Sequence, residues 1–299
     1  MDVFHKKLLS IGKLLLIFLI VIWLIRYYER KSPIEGFSQA APFVLRQNEN
    51  VYDSFYLQYY DDLYASELYS EQDMSTILKY TNPTDKSIFL DIGCGTGILL
   101  QKLENKGFLA FGVDKSSSMV QKAEERLKQC EVQCDDVLRD PMLYENNTFS
   151  HILCTHFTVY EIQEKKKFFN HCFHWLQGGG YLVVHLVEPA QYKKVIPSMN
   201  SSASSSSVNK THIEYEEYSY VNEWKTKGDE YKQIETFTDA YTGHVRKNEK
   251  QLYMETKSNV LSVAMECGFL IHAETTYVDK LKDDYQYLVV MVKPMCGTE

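Results

Sequence analysis

The sequence LDIGCGTG occupies residues 90–97 and places glycine at positions 93, 95 and 97. The residues that lead into it, Ser87 to Ile92, form a short apolar and partly β-branched run, which predicts a buried strand. Glycine has no side chain to stand between backbone and ligand, so such a turn can approach a bulky nucleotide-like group closely. The pattern is not the dinucleotide fingerprint G-x-G-x-x-G, because the third glycine comes one residue early. The stretch predicts a strand followed by a ligand-binding turn of another kind.

Strand-like and helix-like segments alternate along the chain around this turn. We predict further strands at 108–113, 152–155 and 181–187, and helices at 97–104, 119–129 and 165–176. Strands separated by helices indicate a parallel sheet that is covered on both faces. Ligands bind such sheets beyond the carboxyl ends of the strands, where the strand order reverses. We therefore expect an α/β, doubly wound, Rossmann-like fold with the glycine turn at its binding edge.

The pattern changes after residue 190. Polar and aromatic residues nearly alternate over 212–254, which predicts a small antiparallel β insertion at about 190–254. The serine tract from Asn200 to Asn209 predicts a flexible loop. A helix near 258–267 and strands near 271–278 and 285–292 are expected to complete the main sheet.

Four stretches carry a resemblance to a known family. Asp91 with the three glycines matches the form E/D-x-G-x-G-x-G, which resembles motif I of class I S-adenosylmethionine (SAM) dependent methyltransferases. The stretch DKSSSM at 114–119, with Ala123 beyond, is similar to the family's D-x-S-x-x-M…A segment. LQGGGYL at 176–182 is similar to its L-x-P-G-G-x-L turn, with Gly178 in place of proline. VYDSFYLQYYDDLY at 51–64 resembles its tyrosine-rich first helix.

This resemblance covers about residues 50–190 and implies a seven-stranded sheet that binds SAM. Asp91 would lie near the amino-acid end of the cofactor and Asp135 at the adenine amine, with Asp136 as an exposed neighbour. Asp114 ends the second strand, and its two carboxylate oxygens can accept hydrogen bonds from both ribose hydroxyls. A tyrosine face near the sulfonium suits a cation, although tyrosines in a helix also serve as packing groups. The complete set of expected cofactor residues is Asp91, Gly93, Cys94, Gly95, Gly97, Asp114, Lys115, Asp135 and Tyr60.

The loop THFTVYE at 155–161 follows the fourth strand, where a catalytic group would project. A general base is needed only if the acceptor carries a proton at the reaction pH. His156 is the candidate base and Tyr160 a weaker candidate, as is Glu161. Alternatively, His156 packs against adenine or bonds a backbone carbonyl. We predict no metal site, because the pairs His171/His174 and Cys130/Cys134 lack the further ligands that zinc requires.

An uninterrupted apolar run extends from Leu14 to Ile25. Extended back to Leu8 it has 18 residues, about 27 Å of helix against a hydrocarbon core of about 30 Å. A cleaved signal peptide is the rival interpretation, but the nearest small-x-small site, Ser38 to Ala40, lies too far downstream. We expect an N-terminal transmembrane helix within an anchor at 1–28, a linker at 29–50 and a methyltransferase domain at 51–299. The expected location is a membrane, single-pass, with the catalytic domain facing the cytosol.

The composition of the chain limits the classes of partner that we expect. The 299 residues include 40 acidic and 32 basic side chains, so the net charge of -8 argues against nucleic acid as a partner. Seven cysteines without a paired framework suit a reducing compartment. We expect methyl transfer to a small molecule or lipid near a membrane; a protein methyltransferase and a non-catalytic SAM-fold interaction module remain alternatives. The stretches FTVYEI at 157–162 and WLQGGGYLVVHLV at 175–187 also resemble uncharacterised membrane-anchored methyltransferase-domain proteins of large DNA viruses.

Overall fold

The computed structural model describes residues 18, 20–22, 39, 41–191, 203–207 (backbone alone), 210–228, 230–277 and 285–295. Of the expected anchor at 1–28, residues 18 and 20–22 are helical, and the rest lies outside the described residues. Within the described residues, no helix combines the length and apolar character needed to cross a membrane.

Thirteen strands within this part of the chain form two sheets. They are β1 (Phe43–Gln47), β2 (Ile88–Ile92), β3 (Leu109–Asp114), β4 (Glu131–Cys134), β5 (Phe149–Cys154), β6 (Leu176–Val187), β7 (Ala203–Ser207), β8 (Lys210–Glu214), β9 (Tyr218–Lys227), β10 (Glu230–Asp239), β11 (Val245–Tyr253), β12 (Leu270–Thr276) and β13 (Gln286–Val292). The first sheet has seven strands in the order β12-β13-β6-β5-β2-β3-β4.

The seven-stranded sheet is parallel from β4 to β6, whereas β13 runs antiparallel to both of its neighbours. This confirms the expected doubly wound α/β sheet. Chain order reverses at β2, because β3 lies on one side of it and β5 on the other. The carboxyl end of β2 carries the glycine turn, so the turn opens into the crevice at the switch point.

Helices cover both faces of this sheet. They are α1 (Tyr60–Leu63), α2 (Ser66–Thr81), α3 (Ile98–Asn105), α4 (Ser117–Arg126), α5 (Thr158–Glu161), α6 (Lys165–Trp175) and α7 (Lys257–Glu266). Buried residues of α2 and α3, such as Ile77 and Leu100, form one apolar cluster, and those of α6 and α7, such as Phe169 and Val260, belong to another. Ser116 caps α4: its hydroxyl accepts a hydrogen bond of 3.2 Å from the amide of Met119.

The second sheet has six strands in the order β1-β11-β10-β9-β8-β7. Strands β7 to β11 are antiparallel, as the sequence pattern predicts for the insertion. The loop prediction for the serine tract is wrong at 203–207, where β7 pairs with β8: backbone pairing at a sheet edge outweighs the weak strand preference of serine. Strand β1 lies in the expected linker and joins this sheet parallel to β11. The folded unit therefore begins before residue 51.

The tyrosine-rich segment 51–64 is not the single helix that the resemblance implies. It consists of 3-10 turns at Asn48–Val51 and Tyr56–Gln58 followed by the short helix α1. Its apolar side chains, among them Phe55 and Leu63, pack on Phe237 and other residues of the six-stranded sheet. Tertiary contacts with the sheet override the helical pattern, and the segment spans the gap between the two sheets.

Candidate functional site

The glycine turn is tied to the end of β3. The amides of Gly93 and Cys94 both donate to the carbonyl of Val113, at 2.8 and 3.2 Å. Gly93, Gly95 and Gly97 have φ values of +68°, +53° and +79°, a backbone conformation that residues with a side chain rarely adopt. A Cβ on Gly93 would lie 2.5 Å from Cγ2 of Thr158, and one on Gly97 3.0 Å from Cβ of Ala123. A Cβ on Gly95 would meet nothing within 4 Å, because this glycine faces an open cleft.

Two cavities flank the turn. The larger has a volume of about 290 Å³ and the smaller about 30 Å³. Tyr60, Gly93, Gly95 and His156 line both. The larger cavity also contains Asp114, Lys115 and Asp135, and the smaller contains Asp91, Cys94 and Thr96. The structure thus brings together every expected cofactor residue except Gly97, which packs against Ala123 behind the turn.

Asp114 is held by two backbone amides. Its Oδ2 accepts from Gly95 at 3.0 Å and its Oδ1 from Ser116 at 2.8 Å. Burial raises the pKa of this carboxyl to about 6, although the two amide bonds oppose the shift. Each oxygen has a second lone pair, so the group can still accept hydrogen bonds from a ligand in the larger cavity.

A pH dependence of ligand binding follows from Asp114. Below its pKa of about 6 the carboxyl takes up a proton and must lose it again to accept two hydroxyl donors. We expect the affinity for SAM to be constant near pH 7 and to fall by up to about tenfold per pH unit below pH 6. Calorimetric titrations with SAM at pH values from below 6 up to 7 measure this affinity. An unchanged slope in Asp114→Asn would assign the dependence to another group.

Asp91 lies at the inner end of the cleft and is 2% exposed. Burial raises its pKa well above the ordinary range, and the carboxylates of Asp73 and Asp114 raise it further. Burial likewise raises the pKa of the neighbouring Cys94 thiol. A cationic group in the smaller cavity would stabilise the Asp91 carboxylate, since it would replace the solvation that the group has lost.

Asp135 and Asp136 both line the larger cavity. Arg139 donates to Oδ2 of Asp135 at 2.5 Å, while Lys115 lies 2.9 Å from Oδ2 of Asp136. Asp136 is therefore a cavity residue as well as Asp135, whereas the sequence suggested only an exposed neighbour. Lys115 also lines the larger cavity, and this ion pair holds its ammonium group there.

A polar clamp fixes the turn to the tyrosine-rich segment. Arg126 donates to the carbonyl and the hydroxyl of Thr96 at 2.7 and 2.9 Å, and to Oδ2 of Asp61 at 2.9 Å. The hydroxyl of Thr96 in turn donates to Oδ1 of Asp61 at 2.7 Å. Asp61 follows Tyr60 directly, so this clamp sets where the Tyr60 ring lies over the cleft. The sequence offered no sign of it, because its members come from three separate elements.

Removing the clamp should loosen cofactor binding. We expect Arg126→Ala to lower the affinity for SAM about tenfold, since three partly exposed, charge-assisted bonds together contribute about 1–1.5 kcal/mol after solvent screening. Calorimetry measures the change. Lys122→Ala is the control, because Lys122 lies on the same helix and pairs only with the exposed Glu125 among the contacts described. Equal affinities of the two variants for SAM would show that the clamp does not contribute to cofactor binding.

The three catalytic candidates differ in whether their side chains reach the cavities. His156 lines both cavities and has a φ of +51°. Phe157 follows with a φ of +69°, so the loop after β5 contains two consecutive strained residues. Tyr160 is fully buried, and its hydroxyl accepts from the amide of Val187 at 2.8 Å. The catalytic prediction for Tyr160 is therefore wrong: its hydroxyl is committed to the sheet behind the site. Glu161 does line the larger cavity and accepts a hydrogen bond from Tyr52.

The second sheet closes the larger cavity from the far side. Lys250, Gln251 and Tyr253 of β11 line it. Lys250 is 5% exposed and lies 3.1 Å from the hydroxyl of Tyr64, with Glu235 3.8 Å away. The fully buried Glu235 also accepts hydrogen bonds from the hydroxyls of Tyr56, Tyr64 and Tyr220. This network joins the tyrosine-rich segment to the second sheet, and none of its strand members was predicted to be part of the site.

Comparison with known proteins supports the interpretation of this geometry. Residues 89–180 match the family model described as "Methyltransferase domain". No curated protein sequence matches the chain. Similar solved structures include a SAM-dependent methyltransferase from Clostridium acetobutylicum, with a TM-score of 0.63 and 18% identity, covering 80% of this chain and 98% of that one.

Two further similar structures are sugar methyltransferases. The SAM-bound amino pentose methyltransferase CalS10 from Micromonospora echinaspora has a TM-score of 0.58 and 17% identity, covering 82% of this chain and 98% of that one. The sugar N-methyltransferase KedS8 from Streptoalloteichus has a TM-score of 0.58 and 18% identity, covering 81% of this chain and 93% of that one. At these identities the likeness shows the fold. With the matched family model and the glycine cleft, this chain contains a class I methyltransferase domain, whose cofactor is S-adenosyl-L-methionine.

Proposed function

We propose that this chain transfers the methyl group of SAM to a small-molecule acceptor bound between the two sheets. The observation that carries the proposal is the continuity of the larger cavity. It extends from Asp114 and the glycine turn to Lys250 and Tyr253 of the second sheet. The end at Asp114 therefore has groups that can bind a nucleoside. The end at Lys250 and Tyr253 offers a separate wall against which an acceptor can bind.

The residues of the cleft fit the cofactor. Gly95 leaves open space above the turn, Asp114 offers two carboxylate oxygens to the ribose, and Asp135 and Asp136 lie where the adenine edge would be held. Asp91 in the smaller cavity offers its negative charge to the ammonium of the methionine part. Bound there, SAM supplies a methyl group that is already activated by the sulfonium. The chain's own task is to align the acceptor, exclude water and accept a proton.

The acceptor end of the cavity favours a polar or cationic small molecule. The ring centroids of Tyr52 and Tyr60 lie 6.2 Å apart in an edge-to-face arrangement, and the carboxylate of Glu161 accepts a hydrogen bond from Tyr52. Aromatic faces and a carboxylate together attract an ammonium group. A volume of about 290 Å³ for this cavity also fits a small ligand better than a docked polypeptide segment. The sugar substrates of the two named neighbours point in the same direction.

His156 is the group that we assign to proton transfer. It contacts both cavities, so it lies near the junction at which acceptor and methyl group would meet. An amine that binds as its ammonium ion, or a hydroxyl, must lose a proton to attack, and an imidazole is suited to accept it near neutral pH. Tyr60, which also lines both cavities, would shield this junction from water.

Location forms a separate part of the proposal. The apolar run at 14–25 supports attachment to a membrane with the catalytic domain on the cytosolic side, where SAM is made. In sealed vesicles, a tag on the C-terminus should be digested by added protease. A protected C-terminus would contradict this orientation.

Transfer of a labelled methyl group tests the activity. Full-length protein is incubated with methyl-labelled SAM and three acceptor pools: polar small-molecule amines and alcohols, a lipid extract, and a protein lysate. We expect label in the small-molecule pool, and none with the Asp114→Ala variant. Label that appeared only in protein would support the protein methyltransferase alternative. If SAM binds but no pool is labelled, the non-catalytic alternative is favoured.

A further inference from the structure

A fully buried carboxylate lies directly behind His156. Asp73, on helix α2, is 0% exposed, and its Oδ2 lies 3.4 Å from Nε2 of His156. Within the described chain, neither of these two atoms has a hydrogen-bond partner under normal bond geometry, and both are inaccessible to solvent. Two unsatisfied polar atoms that face each other in the interior are costly unless a proton is shared between them.

The rest of the pocket holds Asp73 in place. The hydroxyl of Tyr277 donates to Oδ1 of Asp73, which leaves Oδ2 for the histidine. The ring of Tyr69 lies 5.3 Å from the rings of both His156 and Tyr277. His156 itself has a φ of +51°, a strained backbone conformation. The carboxylate and the imidazole are thus both restrained by independent contacts.

Charge in this pocket is concentrated on few groups. Burial, and to a lesser extent His156, lowers the pKa of the neighbouring His185 to about 3, so that ring is neutral. Burial raises the pKa of Asp91, the other carboxyl near Asp73, well above its usual range. A carboxylate next to a histidine fixes the ring tautomer and stabilises the imidazolium once a proton arrives.

We propose that Asp73 is a positioning residue that holds the proton of neutral His156 on Nε2 and so leaves the lone pair of Nδ1 for the acceptor. The inference rests on the proposed function, because it assigns how His156 acts as the base. The acceptor atom that gains the methyl group loses its proton to Nδ1, and the imidazolium then passes a proton to water. Asp73 does not itself take up the proton; its negative charge balances the imidazolium.

Nitrogen-15 spectra of the histidine rings test the assignment without a known acceptor. Full-length protein labelled at histidine is studied with S-adenosylhomocysteine added, and His156→Gln identifies the signal. Above the pH at which the ring titrates, we expect Nε2 to carry the proton and Nδ1 to be unprotonated. In Asp73→Asn, a shift toward the other tautomer or a mixture of both is expected. Tyr277→Phe keeps the carboxylate and should keep the tautomer.

Each outcome is decisive for the positioning role. A proton on Nδ1 in the wild type, or a ring that never loses its second proton, would overturn the proposal even if Asp73→Asn failed to fold. The same tautomer in wild type and folded Asp73→Asn would also overturn it. These signals do not require turnover. A protein with the expected tautomer that methylates nothing would therefore disprove the proposed activity and leave the arrangement of Asp73 and His156 standing.

Discussion

Asp114→Ala is expected to weaken SAM binding by more than about 100-fold. The carboxylate offers hydrogen bonds to two ribose hydroxyls, each contributing about 1.5–3 kcal/mol because the acceptor is charged. Their loss amounts to about 3–6 kcal/mol, and each 1.4 kcal/mol changes the affinity tenfold. The variant also frees the amides of Gly95 and Ser116, which loosens the turn. Calorimetry with SAM and S-adenosylhomocysteine measures the loss.

An exposed aspartate provides the control for this variant. Asp85 lies in the turn before β2, is exposed, and does not line either cavity. Asp85→Ala removes the same charge and should bind SAM as the wild type does. If Asp114→Ala, shown to be folded by circular dichroism, bound SAM within about threefold of the wild type, Asp114 would not be the ribose ligand.

Gly95→Ala is expected to weaken cofactor binding by up to about 100-fold with only a modest loss of stability. The added Cβ would meet no protein atom within 4 Å. It would therefore project into the cleft that the cofactor must occupy. An alanine at a φ of +53° costs about 1–2 kcal/mol of folding free energy. Overlap with the ligand adds a penalty of up to about 3 kcal/mol in binding, which is about 100-fold in affinity. Thermal unfolding and calorimetry separate the two effects.

Gly107→Ala is a matched control for the backbone term. Gly107 also has a positive φ, +82°, and no atom within 4 Å of an added Cβ, but it follows helix α3 away from the cleft. Both variants should lose similar amounts of stability, and only Gly95→Ala should lose SAM binding. Full binding by Gly95→Ala would show that the cofactor does not pass over this residue.

The cofactor half of the site could be predicted because it is built locally. Asp91 and the glycines are contiguous, and Asp114 follows at the end of the adjacent strand, so sequence spacing alone places them together. In a doubly wound sheet the carboxyl ends of neighbouring parallel strands meet at one edge. The binding chemistry of these residues can therefore be inferred from their order along the chain.

The acceptor half could not be predicted in the same way. Lys250 and Glu235 come from an insertion that starts more than 70 residues after Asp114. The pairing of β10 with β11 brings these two side chains together, and Lys250 lines the cavity. Asp73 sits within an ordinary helix without any pattern that marks it. Tyr160 shows the opposite error, since position in a loop does not reveal which way a side chain faces. The helical pattern of 51–64 likewise gave way to hydrogen bonds between its tyrosines and Glu235.

The position of β1 has a consequence for biosynthesis. Residues 43–47 pair with residues 245–249, so the edge of the second sheet joins parts of the chain that leave the ribosome far apart in time. Such contacts raise the contact order, and closing so long a loop slows folding. Strand β1 must wait, without its partner, until β11 at residues 245–253 has been synthesised. Nascent chains are therefore expected to expose sheet edges, and chaperone binding during translation should protect them from aggregation.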